Sequence, residues 1–151
     1  MTLGKPPRLE RIFPKYDPPL YFVTVCTKNR RKLLANKTVH QALINCGQSG
    51  IQRGYALGRY VIMPNHIHLF VSGTDDFDLG RWIRGLKRVV AAAVSGGRSI
   101  WQTGFFDHVI RNSESYSQKW EYVRDNPVRA ELVGEARQWP FQGELIRIEH
   151  R

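Results

Sequence analysis

The sequence predicts an α+β domain: a four-stranded antiparallel sheet with helices on one face, plus an extra C-terminal helix. Three observations carry this. Short runs dense in β-branched and aromatic residues fall at 20–27, 55–63, 66–72 and 107–111. Two of them are joined only by the turn pair Pro64-Asn65. Segments with apolar residues at helical spacing occupy the gaps and follow the last run. The resulting order, β-α-β-β-α-β-α, is ferredoxin-like, also seen in RRM-like domains. A chain of 151 residues that is 42% hydrophobic has enough apolar content for one core and no room for a second.

Residues 1–19 hold five of the eight prolines along with several basic residues, a composition that suits an extended arm rather than a helix or central strand. The first strand, Leu20-Tyr21-Phe22-Val23-Thr24-Val25-Cys26-Thr27, ends in the basic cluster Lys28-Asn29-Arg30-Arg31-Lys32. Asn36 is placed to cap a helix running to about Cys46, with Gly47 or Gly50 as its stop. Asn36-Lys37-Thr38 also matches a glycosylation acceptor, and the cap is the better explanation of it. The hairpin of the second and third strands is expected mid-sheet.

Asp75, Asp76 and Asp78 precede an amphipathic helix over 79–94, with Leu79, Ile83, Leu86, Val90 and Ala93 on its apolar side and Gly96-Gly97 closing it. Arg81, Arg84 and Arg88 recur along another side, a pattern that fits phosphate contacts or an ordinary solvated face. A fourth strand over 107–111 leads to Asn112 or Ser113 as the cap of the last helix. Residues 20–140 thus form the domain, and 141–151 read as a tail.

Lys and Arg number 23 against 13 Asp and Glu, for a formal charge of +10. The excess is spread along the chain, so a polyanionic partner is expected, nucleic acid before an anionic membrane. No apolar run reaches the roughly 20 residues that span a bilayer, and the N-terminus has no signal-like apolar stretch, so a cytoplasmic protein without membrane contact is expected. Cys26 and Cys46, twenty positions apart, read as core thiols rather than metal ligands.

The densest chemical signal is His66-Ile67-His68 inside Val61-Ile62-Met63-Pro64-Asn65-His66-Ile67-His68-Leu69-Phe70-Val71. The two-residue period of a strand points both imidazoles to one face. They form half of a metal site or a solvent-facing pair. Downstream, Tyr122 and Asn126 are four residues apart, on one side if both are helical. The Asn126 amide oxygen could complete a Mg²⁺ or Mn²⁺ site, and Asn before Pro127 could equally cap a helix. A Tyr122 phenol, activated by a metal-polarised phosphate or by cations such as Arg124, could attack a phosphodiester, or the ring could simply pack. Tyr116 is the rival nucleophile.

These motifs resemble the single-tyrosine HUH transposases, and among them the REP-associated tyrosine transposases. The resemblance rests on Tyr60-Val61-Ile62-Met63-Pro64-Asn65-His66-Ile67-His68-Leu69, Gly104-Phe105-Phe106-Asp107-His108-Val109-Ile110-Arg111, and Tyr122-Val123-Arg124-Asp125-Asn126-Pro127-Val128-Arg129-Ala130-Glu131-Leu132-Val133. It spans about residues 10–140. It implies a ferredoxin-like nuclease in which His66, His68 and Asn126 hold a divalent ion. Tyr122 would cut single-stranded DNA beside an imperfect hairpin, leaving a 5′-phosphotyrosine and a free 3′-hydroxyl. Arg30, Arg31, Arg81, Arg84, Arg88, Arg111 and Arg124 are the expected DNA-binding cations. REP-associated members often carry a Gly-Pro-Ser-Tyr element near the N-terminus, where this chain has Gly4-Lys5-Pro6-Pro7 and Tyr16. Relatives act as monomers or homodimers, and either suits this chain.

Two other readings compete. In one, the chain is a non-catalytic single-strand binder of RRM-like topology, stacking bases on Tyr21, Tyr60 and Phe70. In the other, it is a metal-dependent nuclease without a covalent step.

Overall fold

The computed structural model describes residues 19–96 and 98–148. The expected arm, with Gly4-Lys5-Pro6-Pro7 and Tyr16, lies outside the described residues except for Pro19. The elements in chain order are β1 (Leu20–Cys26), α1 (Lys37–Gln48), a short α2 (Gly50–Arg53), β2 (Tyr55–Ile62), β3 (His66–Gly73), α3 (Leu79–Ser95), β4 (Phe106–Ile110), α4 (Ser113–Arg124), a single turn α5 (Asn126–Arg129) and β5 (Gln142–Glu144). The expected β-α-β-β-α-β-α order is present within this series.

The strands pair antiparallel in the spatial order β4-β1-β3-β2-β5. Among the described residues the sheet therefore has five strands where four were expected. The extra one comes from the segment read as a tail: Gln142, Gly143 and Glu144 pair with Val61, Tyr60 and Arg59, and Leu145, Ile146 and Ile148 are buried just beyond. Gln-Gly-Glu has no strand propensity of its own. It is a strand because β2 offers an open edge and the apolar residues after it anchor the chain there.

Side-chain amides and carboxylates start the three long helices, as their sequences suggest. Asn36 Oδ1 accepts from Val39 N at 2.9 Å, Asp78 Oδ1 from Arg81 N at 3.1 Å and Asn112 Oδ1 from Ser115 N at 2.8 Å. The stop of α1 is a correction. The helix runs through Gly47 to Gln48, α2 follows, and the left-handed residue that turns the chain into β2 is Gly54 (φ 82°). Gly47 is needed for space instead, since a Cβ there would overlap side-chain atoms of Leu145 and Leu57.

Alternation along the strands sorts the molecule into layers. Val23, Val25, Ile67, Leu69 and Val71 point to one face, where Val39 and Leu43 of α1 and Ile83, Leu86 and Val90 of α3 cover them. Leu20, Phe70 and Ala56 point to the other, under Tyr116 of α4, with Val61 and Met63 under Val123. The extra helix thus roofs the second face instead of joining the first pair. A bulge in β2 makes this double burial work: the register slips by one residue between Leu57 and Tyr60. Leu57 and Tyr60 consequently share the α1/α3 face, and Arg59 lies over the Tyr116 and Trp120 rings of α4 at 5.0 and 5.5 Å.

Candidate nucleic-acid cleavage site

Ile67 is fully buried in the α1/α3 core, so the strand period turns His66 and His68 to the α4 face, where both are half-buried. The turn before them is held by the strand alongside. Thr27 N and Thr27 Oγ1 donate to Asn65 O at 3.0 and 3.1 Å, and Leu33 N and Leu34 N donate to Pro64 O at 2.9 and 3.0 Å. Thr27, fully buried, also donates through Oγ1 to Arg31 O, at 2.8 Å. This loop places Asn29 and Arg30 in the left-handed region (φ 57° and 54°). For Arg30 that conformation costs energy, which the surrounding hydrogen bonds offset.

Asn126 reaches the histidines from the far end of the chain. Its Nδ2 lies 2.9 Å from His68 Nε2 and 3.4 Å from His66 Nε2, a position in which the amide donates to the ring lone pairs. The opposite nitrogens then carry the protons. His68 Nδ1–H donates to Thr24 Oγ1 at 2.8 Å, and His66 Nδ1–H to Asn65 Oδ1 at 2.6 Å. Both rings are therefore held in the tautomer that presents Nε2 as a ligand, each with a second partner fixing its orientation.

The electrostatics agree with neutral rings. Burial, then the charges of His66, Arg129 and Lys119, push the His68 pKa down to about 3. Burial and Arg30 lower that of His66. Turning the Asn126 amide over would put Oδ1 where Nδ2 now sits. Two imidazole nitrogens and an amide oxygen make a neutral, mixed N/O donor set that fits Mg²⁺ or Mn²⁺ and leaves the ion's positive charge undiminished for an anion. Among the described residues no group of three or more His, Cys, Asp or Glu offers an alternative metal cluster.

Asn126 does not cap a helix with its side chain. It is the first residue of α5, and only its carbonyl is used there, accepting from Ala130 N at 2.9 Å. Pro127 explains the break, because it has no N–H to donate to Val123 O and its ring would clash with that carbonyl in a continuous helix. Tyr122 and Asn126 accordingly sit on two successive helical pieces, separated at Asp125. The Tyr122 ring is 64% exposed, and the Arg129 guanidinium lies 3.9 Å from its centroid. Tyr116, the rival, is buried under the sheet with its pKa driven up by burial, and no phosphate can reach it there.

The expected cations divide into groups. Arg30 and Arg31 follow β1 in the loop that braces the His66 turn. Arg111 is exposed just after β4, and Arg124 is exposed beside Glu135, Arg137 and Trp139. Arg81, Arg84 and Arg88 are exposed on α3, across the sheet from the histidines, so the fold does not bring them to this site. Base stacking on Tyr60 and Phe70 is ruled out, since both are fully buried; burial raises the Tyr60 pKa to about 12, and its hydroxyl is taken by His40 Nε2 at 2.7 Å.

Sequence reasoning missed Thr24, Lys119 and Arg129. Thr24 could have been found as a small hydroxyl residue in the middle of an apolar strand. Lys119 and Arg129 could have been found at three before and seven after Tyr122, the helical period that already singled out Asn126.

A family model described as transposase IS200-like matches residues 19–126. The chain is 32% identical over 127 residues to a REP-associated tyrosine transposase of Escherichia coli (strain K12), covering 80% of this chain and 73% of that protein. A solved structure of a REP-associated tyrosine transposase bound to a REP hairpin superposes with a TM-score of 0.71 at 29% identity, over 83% of this chain and 76% of the other. A solved protein of Deinococcus radiodurans shares the fold, with a TM-score of 0.54 at 18% identity, over 83% and 97%.

Proposed function

Given that the chain belongs to the IS200-like transposase family, and that its relatives include REP-associated tyrosine transposases, we propose that it cuts and rejoins single-stranded DNA beside a hairpin, with Tyr122 as nucleophile and a divalent ion held by His66, His68 and Asn126. The observation that carries this is the convergence of two Nε2 lone pairs from β3 and one amide from α5, 58 and 60 residues apart in sequence. A structural role alone does not call for two half-buried, neutral imidazoles aimed at one amide.

In the proposed reaction the exposed Tyr122 phenol gives its proton to solvent water, its oxygen bonds to phosphorus, and the bond from phosphorus to the 3′-oxygen breaks. That oxygen leaves as a 3′-hydroxyl after taking up a proton. The 5′-phosphotyrosine keeps the energy of the original bond, so a 3′-hydroxyl from another strand can reverse the step without ATP. The ion would supply Lewis-acid polarisation of a non-bridging phosphate oxygen. Arg129 steadies the phenol ring and, with Lys119 and Arg30, adds positive charge around the phosphate. Mn²⁺ is favoured over Mg²⁺ by two imidazole ligands, while cellular abundance favours Mg²⁺.

The hairpin would be gripped by phosphate contacts from Arg30, Arg31, Arg111 and Arg124, which fix register without reading sequence. Among the described residues no helix is long and apolar enough to cross a membrane.

The experiment is incubation of the protein with 5′-tailed hairpin oligonucleotides and Mn²⁺, followed by a denaturing gel. A DNA–protein adduct is expected, absent from Tyr122→Phe. An adduct that persists in Tyr122→Phe removes Tyr122 as the nucleophile. His66→Ala is expected to bind the hairpin and not cleave it, and normal cleavage by that variant removes the metal site.

A further inference from the structure

We infer that the groove between β1, β4 and α4, lined by Phe22, Thr24, Phe106, Asp107, His108 and Lys119, is a binding subsite for one unpaired nucleobase next to the phosphate that is cut. The inference rests on the proposed function for the location of that phosphate.

Register places the groove. Thr24 pairs with His68 on one side and with Phe106 on the other, so Phe106, Thr24 and His68 form one cross-sheet row on the α4 face. Strands lie about 4.8 Å apart, which puts Phe106 roughly two strand spacings from His68. That is on the order of the span of one nucleotide in an extended strand. Phe22 joins groove and site: its ring stacks on that of His68, with centroids 5.4 Å apart and planes at 23°.

Exposure marks the groove for a ligand. Phe106 is 64% exposed, a large apolar ring left open to solvent beside the partly buried Phe22 and Thr24 of β1. Solvating such a ring is unfavourable, and a base stacked on it would recover that loss. Lys119 Nζ lies 5.1 Å from the Phe22 centroid, so a cation stands at the rim where a nucleotide's phosphate would run. His108, opposite Phe22 in the ladder, is exposed and makes no ring hydrogen bond to the described residues, and it can address the edge of a base. The cavity measures about 240 Å³, below the volume that takes a drug-sized molecule and in the range of a single ring system. A protein partner would need far more area than this groove offers.

The test is a double-mutant cycle read by binding, without metal. A 5′-tailed hairpin oligonucleotide is prepared intact and with one abasic nucleotide at each unpaired position in turn, and its affinity for wild-type protein and Phe106→Ala is measured in EDTA. In wild-type protein one abasic position is expected to weaken binding about tenfold, the size of one stacked base. Phe106→Ala should lose the same tenfold on the intact oligonucleotide and nothing further on that abasic one, while Phe106→Trp binds as wild type. Additive losses, or an unchanged affinity in Phe106→Ala, overturn the subsite. Because Phe106 is exposed, its truncation leaves the core intact. Covalent adduct formation is scored separately: an adduct with no coupling sinks the subsite alone, and coupling with no adduct sinks the cleavage reading while the base-binding groove stands.

Discussion

Thr24 Oγ1 lies 2.8 Å from His68 Nδ1 across the β1–β3 ladder, and with the Asn126 amide at Nε2 this bond holds both the tautomer and the tilt of the more buried imidazole. A Thr in the middle of an apolar strand is thereby a support for the site rather than an accident of composition.

Thr24→Val removes the hydroxyl and keeps the β-branched shape, so the strand should fold unchanged. Loss of such a supporting partner typically weakens a metal site ten- to a hundredfold. Calorimetric titration with Mn²⁺ is the measurement, and equal affinity in the variant would show that the ring is oriented without Thr24, by the Asn126 contact and packing against Phe22.

Arg129 is predicted to act through the Tyr122 ring it covers. An exposed cation–π contact contributes about 0.5–1 kcal/mol, so Arg129→Gln should slow adduct formation about two- to fivefold at unchanged melting temperature. Arg129→Lys should fall between the two. A rate indistinguishable from wild type would leave Arg129 without a role in placing the phenol.

Acid should destabilise the metal-free protein. His68 titrates at about 3 in the fold, and His66 and His40 are lowered by burial, whereas unfolded imidazoles titrate near 6.5. Below about 6.5 the unfolded chain binds protons that the folded one refuses, so stability is full above that pH. It falls by up to about 1.4 kcal/mol per pH unit per imidazole as the folded values are approached. Thermal melts in EDTA from about pH 7 to about pH 4 should show a steady decline, shallower in His68→Gln. Parallel slopes in the two proteins would contradict the neutral, buried state of His68.

The segment after residue 141 should matter to the fold. Leu145 packs in the α1/α3 core, and Ile146 and Ile148 pack beneath α4. Leu145→Ala should cost about 2–5 kcal/mol, as buried truncations do. Denaturant unfolding decides it, and a cost under about 0.5 kcal/mol would return this segment to the status of a tail.

Much of the fold was legible because local signals and long-range packing agree. The runs at 20–27, 55–63 and 66–72, the cap Asn36, the Asp75, Asp76 and Asp78 run before α3, the start of α4 at Asn112 or Ser113 and the closing Gly96 each depend on neighbours a few residues away. Errors arose where a local rule was overridden from a distance. Gly47 resembles a helix stop and is instead a gap for Leu145. Residues 142–144 have no strand character and become one by pairing with β2. The bulge at 58–59 carries one mark, Gly58 inside the strand pattern, and a glycine there fits a close approach of Ile148 and Tyr116 as well as a bulge, so the packing decides between them.

The site divides the same way. His66 and His68 share a face because side chains alternate along any strand, so their pairing followed from sequence alone, as did the family motifs they belong to. Asn126 was already named as their third group by the resemblance, but that its amide lies 2.9 and 3.4 Å from the two Nε2 atoms depends on Pro127 ending α4 and on that helix crossing the face opposite α1 and α3. Thr24, Lys119 and Arg129 enter for the same reason. A chain's periodicity dictates which side chains point together within one element, while contacts between elements are set by which apolar faces must be covered, and only the packed molecule resolves that.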